Sequence, residues 1–270
     1  MRFTDVYILR LGAGITLPSA CGGFALTTQP PAVLPVTAFE QGPTFRFVLT
    51  PQVWAIGGEI GIGFDGRDGD PSVTGVEVAL AKTTGAGAYR FTITQPNAAG
   101  TGLDYARLAS VAAPVGGVNR QYACLLGIPT TAADLAAAQA GAFPRTVLMA
   151  TAYLRDGATS RTYTLEHSIV SATLDQTTRR VAITIRLVGT PSGGGTDTDL
   201  GRLAATAPLD PATGNFTAAL ASSDRVVTGT ISGRFFGPGA VEIGAVLDGA
   251  VADAPGVAGY SFAGVAFGIR

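Results

Sequence analysis

Few side chains in this sequence are equipped for chemistry, and their spacing narrows the options further. The one histidine, His167 in "LEHSIV", ends a strand-like run, and no Gly-x-Ser-x-Gly elbow occurs, so a Ser-His-Asp site has no set of partners. A histidine in that position reads as a strand-end surface group. Asp65, Asp68 and Asp70 in "FDGRDGDPS" could hold calcium weakly, but their spacing is not that of an EF-hand loop, and a polar hairpin tip is the simpler reading. Asp197 and Asp199 in "PSGGGTDTDLG" belong to a flexible loop. A zinc site needs clustered His and Cys ligands, which are missing. "LGAGITL" and "TTGAGAYR" lack the Gly-x-Gly-x-x-Gly spacing and a parallel βαβ setting, which excludes dinucleotide binding. Catalytic residues, metals and cofactors are therefore all expected to be absent, and Glu242, a lone acid without an acid or base partner, reads as structural.

The two cysteines, Cys21 and Cys124, lie in different contexts, which excludes a disulfide framework. Cys124, in "RQYACLLGIP", reads as a small buried hydrophobe, because nothing nearby would lower its pKa. Cys21 is different. The stretch "MRFTDVYILRLGAGITLPSA" carries Arg2, Arg10, an apolar run from Leu11 to Leu17, and small Ser19 and Ala20 just before Cys21. It resembles a lipoprotein signal peptide, and the resemblance implies a leader over residues 1–20, lipidation at Cys21 and a Gly/Pro-rich tether over 21–35. The other reading is an N-terminal strand with a buried cysteine.

The elements that would position any site are strands. Charged residues make up 14% of the chain, and Lys+Arg (18) balance Asp+Glu (19), so the excess of positive charge that nucleic acid requires is missing. Gly (37) and Pro (16), together with many Thr and Val, favour short strands and frequent turns, an all-β chain. Strand-like runs occur at "TFRFVLT", "WAIGGEIGIGFDG", "SVTGVEVALAKT" and "AYRFTITQ". One helix is expected in "PTTAADLAAAQAG", with Thr131 as cap, Asp134 reaching back and Gly141 as terminator. It sets a boundary near Phe143 or Pro144, dividing a β domain over 36–143 from a second one over 144–270. In the second, eight or nine runs alternate as in "RRVAITIRLVG", where Val181, Ile183, Ile185 and Leu187 share a face. With no helices between them, these runs predict an antiparallel barrel of about eight strands.

One barrel run is broken in the middle. In "GRFFGPGAVEIGAVLDG" the Gly237-Pro238-Gly239 break lets the chain leave the sheet, turn and re-enter. Glu242 is then expected to accept hydrogen bonds from free backbone N–H groups at that corner. Phe235, Phe236, Gly237, Pro238, Ala240, Glu242 and Gly244 follow in order the closing signature of the transferrin-binding protein B-like family of bacterial surface lipoproteins, Phe-Tyr-Gly-Pro-x-Ala-x-Glu-x-Gly-Gly. Phe236 stands for the tyrosine and Ala245 for the second glycine. A second segment, with Gly127, Pro129, Thr130, Asp134 and Leu135, is similar to the family's linker between a handle domain and the barrel.

The resemblance implies a handle-like β domain followed by a barrel, displayed on the outer-membrane surface through a lipid anchor. It also implies capture of a protein or small solute ligand beside an outer-membrane transporter, as in nutrient or iron acquisition. Which residues contact the ligand is not implied, since such surfaces lie on loops. Two other readings remain open. One is a structural or adhesive surface protein that associates with copies of itself. The other is an integral outer-membrane barrel, which would need continuously apolar lipid-facing sides.

Overall fold

The computed structural model describes residues 2–4, 14–48, 52–156, 159–253 and 258–270. Strands hold 61% of the chain and helix 3%, which makes it the all-β protein its composition predicts.

The first part contains β1 (Ile15–Leu17), β2 (Ser19–Ala25), β3 (Ala32–Leu34), β4 (Phe45–Val48), β5 (Val53–Ile56), β6 (Ile62–Asp65), β7 (Val78–Thr84), β8 (Gly87–Thr94), β9 (Asn97–Ala98), β10 (Thr101–Gly102), β11 (Ala106–Val115) and β12 (Val118–Gly127). They form a four-stranded sheet, β1-β4-β5-β6, a six-stranded sheet, β3-β2-β12-β11-β8-β7, and the ribbon β9-β10. Phe45, Phe47, Trp54 and Phe64 from the small sheet meet Phe91, Ile93 and Val111 from the large one in a single buried cluster. The long β11–β12 hairpin lies outside the strand runs read from the sequence. Its turn is Gly116-Gly117, both with positive φ (59° and 78°), the pattern that two-residue hairpin turns require.

The second part contains β13 (Gly141–Phe143), β14 (Arg145–Asp156), β15 (Thr159–Thr164), β16 (Ile169–Asp175), β17 (Arg180–Pro191), β18 (Thr198–Pro208), β19 (Asn215–Ala219), β20 (Val227–Phe236), β21 (Glu242–Val251) and β22 (Tyr260–Ile269). All pairings are antiparallel. β15 pairs with both β14 and β17, and β16 continues along β17, so the two act as one stave interrupted at the 165–168 turn. Counting them together gives eight staves, β14, β15/β16, β17, β18, β19, β20, β21 and β22, and the bridges Ala204↔Ala221 and Leu209↔Phe216 close the ring. The interior is packed with Leu148, Val181, Ile183, Leu203, Phe216, Phe235 and Phe262. Outward positions on β16–β18 carry Ser171, Thr184, Arg186, Arg202 and Thr206, all exposed. Apolar residues inside and polar ones outside invert the pattern of a membrane-spanning barrel, which sets that reading aside.

β21 and β22 do not alternate between buried and exposed positions. Ile243, Ala245, Leu247, Phe262 and Ala266 point into the barrel. Val246, Val265 and Phe267 point outward and share a cluster with Ala20, Phe39, Leu108 and Leu125 of the first part. Both faces of these strands are therefore dry, and the first part sits against the barrel wall as a handle.

Three expectations are corrected here. Residues 14–35 are neither leader nor tether: β1 pairs with β4, and β2 pairs with both β12 and β3. Phe3 is also fully buried, while residues 1 and 5–13 of the expected leader, including the first three residues of its apolar run, lie outside the described residues. Cys21 sits opposite Cys124 in the β2–β12 register, and their sulfurs form a disulfide. That sulfur has no valence left for a lipid, and Cys124 is a half-cystine rather than a free thiol. The small residues on either side of Cys21 have a packing reason: Ala20 and Gly22 lie under the barrel, and a Cβ on Gly22 would stand 3.2 Å from Val246. The helix, finally, is one short segment, α1 (Ala132–Ala136). Thr131 caps it, accepting from the Asp134 N–H at 3.1 Å, but Gly141 opens β13 instead of ending the helix. Since β13 pairs with β16, the strands change from handle to barrel between Gly127 and Gly141.

Candidate functional site

The broken strand lies where linker, handle and barrel meet. At Gly237 (φ 73°) the chain leaves β20, makes a 3-10 turn over Pro238–Ala240, and re-enters as β21. The linker is stitched to this corner by backbone bonds from the Thr130 N–H to the Phe235 carbonyl (3.0 Å) and from the Gly237 N–H to the Ile128 carbonyl (3.1 Å). The Thr130 hydroxyl adds a bond to the Gly237 carbonyl at 2.7 Å. Phe235 points into the barrel, 5.9 Å from the Phe143 ring, while Phe236 points outward, edge-on to Phe39 of the handle at 5.7 Å. Close approach explains two glycines. A Cβ on Gly237 would meet the Tyr105 ring at 2.5 Å, and one on Gly244 would meet Leu125 at the same distance. Ala240 is fully buried in the barrel cluster.

Glu242 is fully buried. Its donors are not the corner's own N–H groups but those of Asp104, Tyr105 and Ala106, well over a hundred residues earlier in the handle. The Asp104 N–H donates to Oε1 at 2.6 Å and the Ala106 N–H to Oε2 at 2.9 Å, while the Tyr105 N–H reaches both oxygens at 3.2 and 3.0 Å. Three successive N–H groups converging on one carboxylate form an anion cradle made of backbone. Burial raises the Glu242 carboxyl above the ordinary glutamate value, opposed by the three N–H groups and by the charge of Arg107. Arg107 is itself fully buried; its Nε meets Glu77 at 2.8 Å, its Nη1 meets the Leu103 and Ala106 carbonyls, and it lies over the Phe3 ring. The 103–107 segment is thus held from both sides.

Two more charged groups cross the same interface. Asp248 on β21 accepts from the Val36 N–H at 2.9 Å and the Thr230 N–H at 3.2 Å, and burial raises its carboxyl as well. Arg234 on β20 pairs with Glu40 of the handle and stacks over Phe39. Together with the apolar cluster, these contacts fix the angle at which the handle meets the barrel.

The remaining candidates do not assemble into a reactive site. His167 Nδ1 lies 2.8 Å from Asp197, and the Thr190 hydroxyl approaches the same nitrogen at 3.3 Å. A nucleophile-base-acid relay needs nucleophile and acid on opposite ring nitrogens, so this exposed trio is not one. Asp65 is paired with Arg67, Asp68 with Lys82, and Asp70 accepts from Ser72. Cations and hydroxyls of the chain fill these carboxylates, and among the described residues no three His, Cys, Asp or Glu side chains converge as metal ligands.

A handle of two sheets docked on a filled eight-stave barrel is the class of fold defined by these elements. No family model and no curated protein matches the chain by sequence. Solved structures do share the fold, among them structures of transferrin-binding protein B. A double mutant from Haemophilus parasuis Hp5 superposes with a TM-score of 0.50 at 12% identity, over 94% of this chain and 44% of that one. Intact Ap-TbpB, described as having N and C lobes, also gives 0.50 at 12% identity, over 94% of this chain and 46% of that one. The isotype 1 protein from serogroup B Neisseria meningitidis gives 0.48 at 11% identity, over 94% and 43%. This chain therefore spans less than half the length of each.

Proposed function

We propose that the chain is a non-enzymatic binding protein of the outer-membrane surface that captures a protein ligand, with an outer-membrane transporter as its partner in nutrient uptake. The observation that carries this reading is the handle-on-barrel fold, shared over 94% of the chain with proteins named for binding transferrin. Two features support it. The barrel interior is filled by its apolar cluster, and the cavity among the inward residues Val170, Ile183, Ile243 and Ala266 measures about 10 Å³, at most one water's worth, which favours a ligand met on the outside. The Cys21–Cys124 disulfide suits an oxidising, extracytoplasmic compartment, although its sulfurs are not the means of membrane attachment.

The test has two arms. Protease treatment of intact source cells should remove the protein while a periplasmic marker survives. Purified chain on a sensor surface should bind apo or iron-loaded transferrin saturably. A protein that resists proteolysis until cells are broken is not on the surface, and one that ignores transferrin but self-associates when purified belongs to the structural class instead.

A further inference from the structure

The barrel wall carries a groove on a face that the handle leaves open. Strand register places Ile169, Arg186 and Arg202 in one row across β16, β17 and β18, and Ser171, Thr184 and Ala204 in the row beside it. The second row is made of short side chains. The segment Ala221–Ser223, bridged to Ala204 by backbone hydrogen bonds, overhangs it, and together they bound a groove of about 720 Å³.

Within the chain, this groove is not electrostatically satisfied. Arg186 and Arg202 are direct cross-strand neighbours, and like charges in that position oppose sheet pairing. One of them is compensated: Asp199 accepts from Arg186 Nε at 3.0 Å and from Nη2 at 2.7 Å. Arg202 makes no hydrogen bond or ion pair among the described residues and meets the Asp199 charge only at longer range. Beside the pair, Ile169 is 61% exposed, an unusual position for a large aliphatic side chain in a row of guanidinium groups.

We propose that this groove recognises a carboxylate side chain presented by a protein ligand, with Arg202 as the donor and Ile169 as the apolar contact beside it. The proposal rests on the protein-ligand reading above. A planar guanidinium fork is suited to a carboxylate, and Asp199 on Arg186 is the intramolecular version of the contact the ligand would make on Arg202. A small free acid is the poorer occupant, because small-molecule sites enclose most of their ligand and this groove is open along the barrel wall. A protein brings its own surface to cover Ile169 and exclude water from the ion pair. Three neighbouring strands give the floor a width of about 10 Å, enough for two or three side chains of an extended segment.

Fluorescence anisotropy with two labelled hexapeptides, one alternating leucine and glutamate and the other leucine and glutamine, tests this at about 50 mM salt, where exposed charges are weakly screened. The glutamate peptide should bind about tenfold tighter than the glutamine one, and Arg202→Ala should remove about tenfold of that affinity. Arg180→Ala, on β17 but outside the groove, should leave it unchanged within about twofold. Asp199→Asn, which releases Arg186, should tighten binding. Peptides that bind alike or not at all, or Arg202→Ala and Arg180→Ala variants that behave alike, would overturn the proposal. The two readings also fail separately. Transferrin capture that survives Arg202→Ala removes the groove and keeps the surface-binding function, whereas glutamate-selective peptide binding without transferrin capture keeps the groove and removes the transferrin reading.

Discussion

Glu242→Ala tests the handle–barrel junction most directly. The substitution leaves three N–H groups, of Asp104, Tyr105 and Ala106, facing an empty space where a carboxylate stood. An unsatisfied buried donor costs about 1–3 kcal/mol; Asp104 and Tyr105 are half-buried and can recruit water, so they take the low end, whereas buried Ala106 takes the high end. The sum is about 3–5 kcal/mol. At about 2–4 °C per kcal/mol for a chain of this size, the melting temperature should fall by roughly 6–20 °C. Glu242→Gln is milder, because its one carbonyl still accepts from two donors and the cost of burying a charge disappears. The pH dependence separates these terms. A carboxyl whose folded value lies above its unfolded one binds its proton more tightly in the native state, so its contribution to stability is fully present in acid and falls as pH rises through the window between the two values. The advantage of wild type over Glu242→Gln should therefore be largest near the lower end of the carboxylate range and shrink toward neutrality. Urea unfolding followed by far-UV circular dichroism and by Trp54, the only tryptophan and a buried member of the handle core, is the assay. In the Ala variant the Trp54 transition should precede the dichroism transition, since the handle loses its anchor first. A loss below about 1 kcal/mol, smaller than one unsatisfied donor costs, would refute the reasoning, as would a wild-type advantage that grows with pH.

Other perturbations probe the same architecture. Replacing Cys21 and Cys124 together by Ser opens a cross-link spanning 103 residues and should cost about 2–5 kcal/mol in urea unfolding, with the intact protein 2 Da lighter than its reduced form by mass spectrometry. Gly237→Ala and Gly239→Ala both place a side chain at positive φ (73° and 62°), but a Cβ at Gly237 strikes the Tyr105 ring and one at Gly239 meets open space. Thermal unfolding should show a loss of about 1 kcal/mol for Gly239→Ala and about 2–4 kcal/mol for Gly237→Ala. Tyr122, pushed up to about 12 by burial and by its bond to Glu59, should titrate late in an alkaline absorbance titration and earlier in Glu59→Gln.

The barrel was legible in the sequence because β17 and its neighbours obey a period of two with one wet face, a signal carried within each strand. The β11–β12 hairpin carries a comparable local signal in Gly116-Gly117 between two apolar runs, and reading that pair as a turn would have found it. β21 and β22 carry another: their continuous apolar runs mark strands buried on both faces, so a second layer outside the barrel was encoded there. The signature around Gly237 announced a corner, but its glycines answer to Tyr105 and Leu125, neighbours far away in sequence. The leader-like start misled because small residues before a cysteine suit a processing site and a tightly covered strand equally well, and only the barrel above Ala20 tells them apart.

The sequence by itself determined the all-β class, an antiparallel barrel of about eight staves and the Gly-Pro-Gly corner. These depend on residue type and short-range periodicity, which a chain carries before it folds. Tertiary structure alone decided that Cys21 meets Cys124, that Glu242 is cradled by Asp104 to Ala106, and that Arg202 faces Arg186 beside an exposed isoleucine. Each joins strands whose register is set by packing across the whole sheet, so no local pattern could have named the partner.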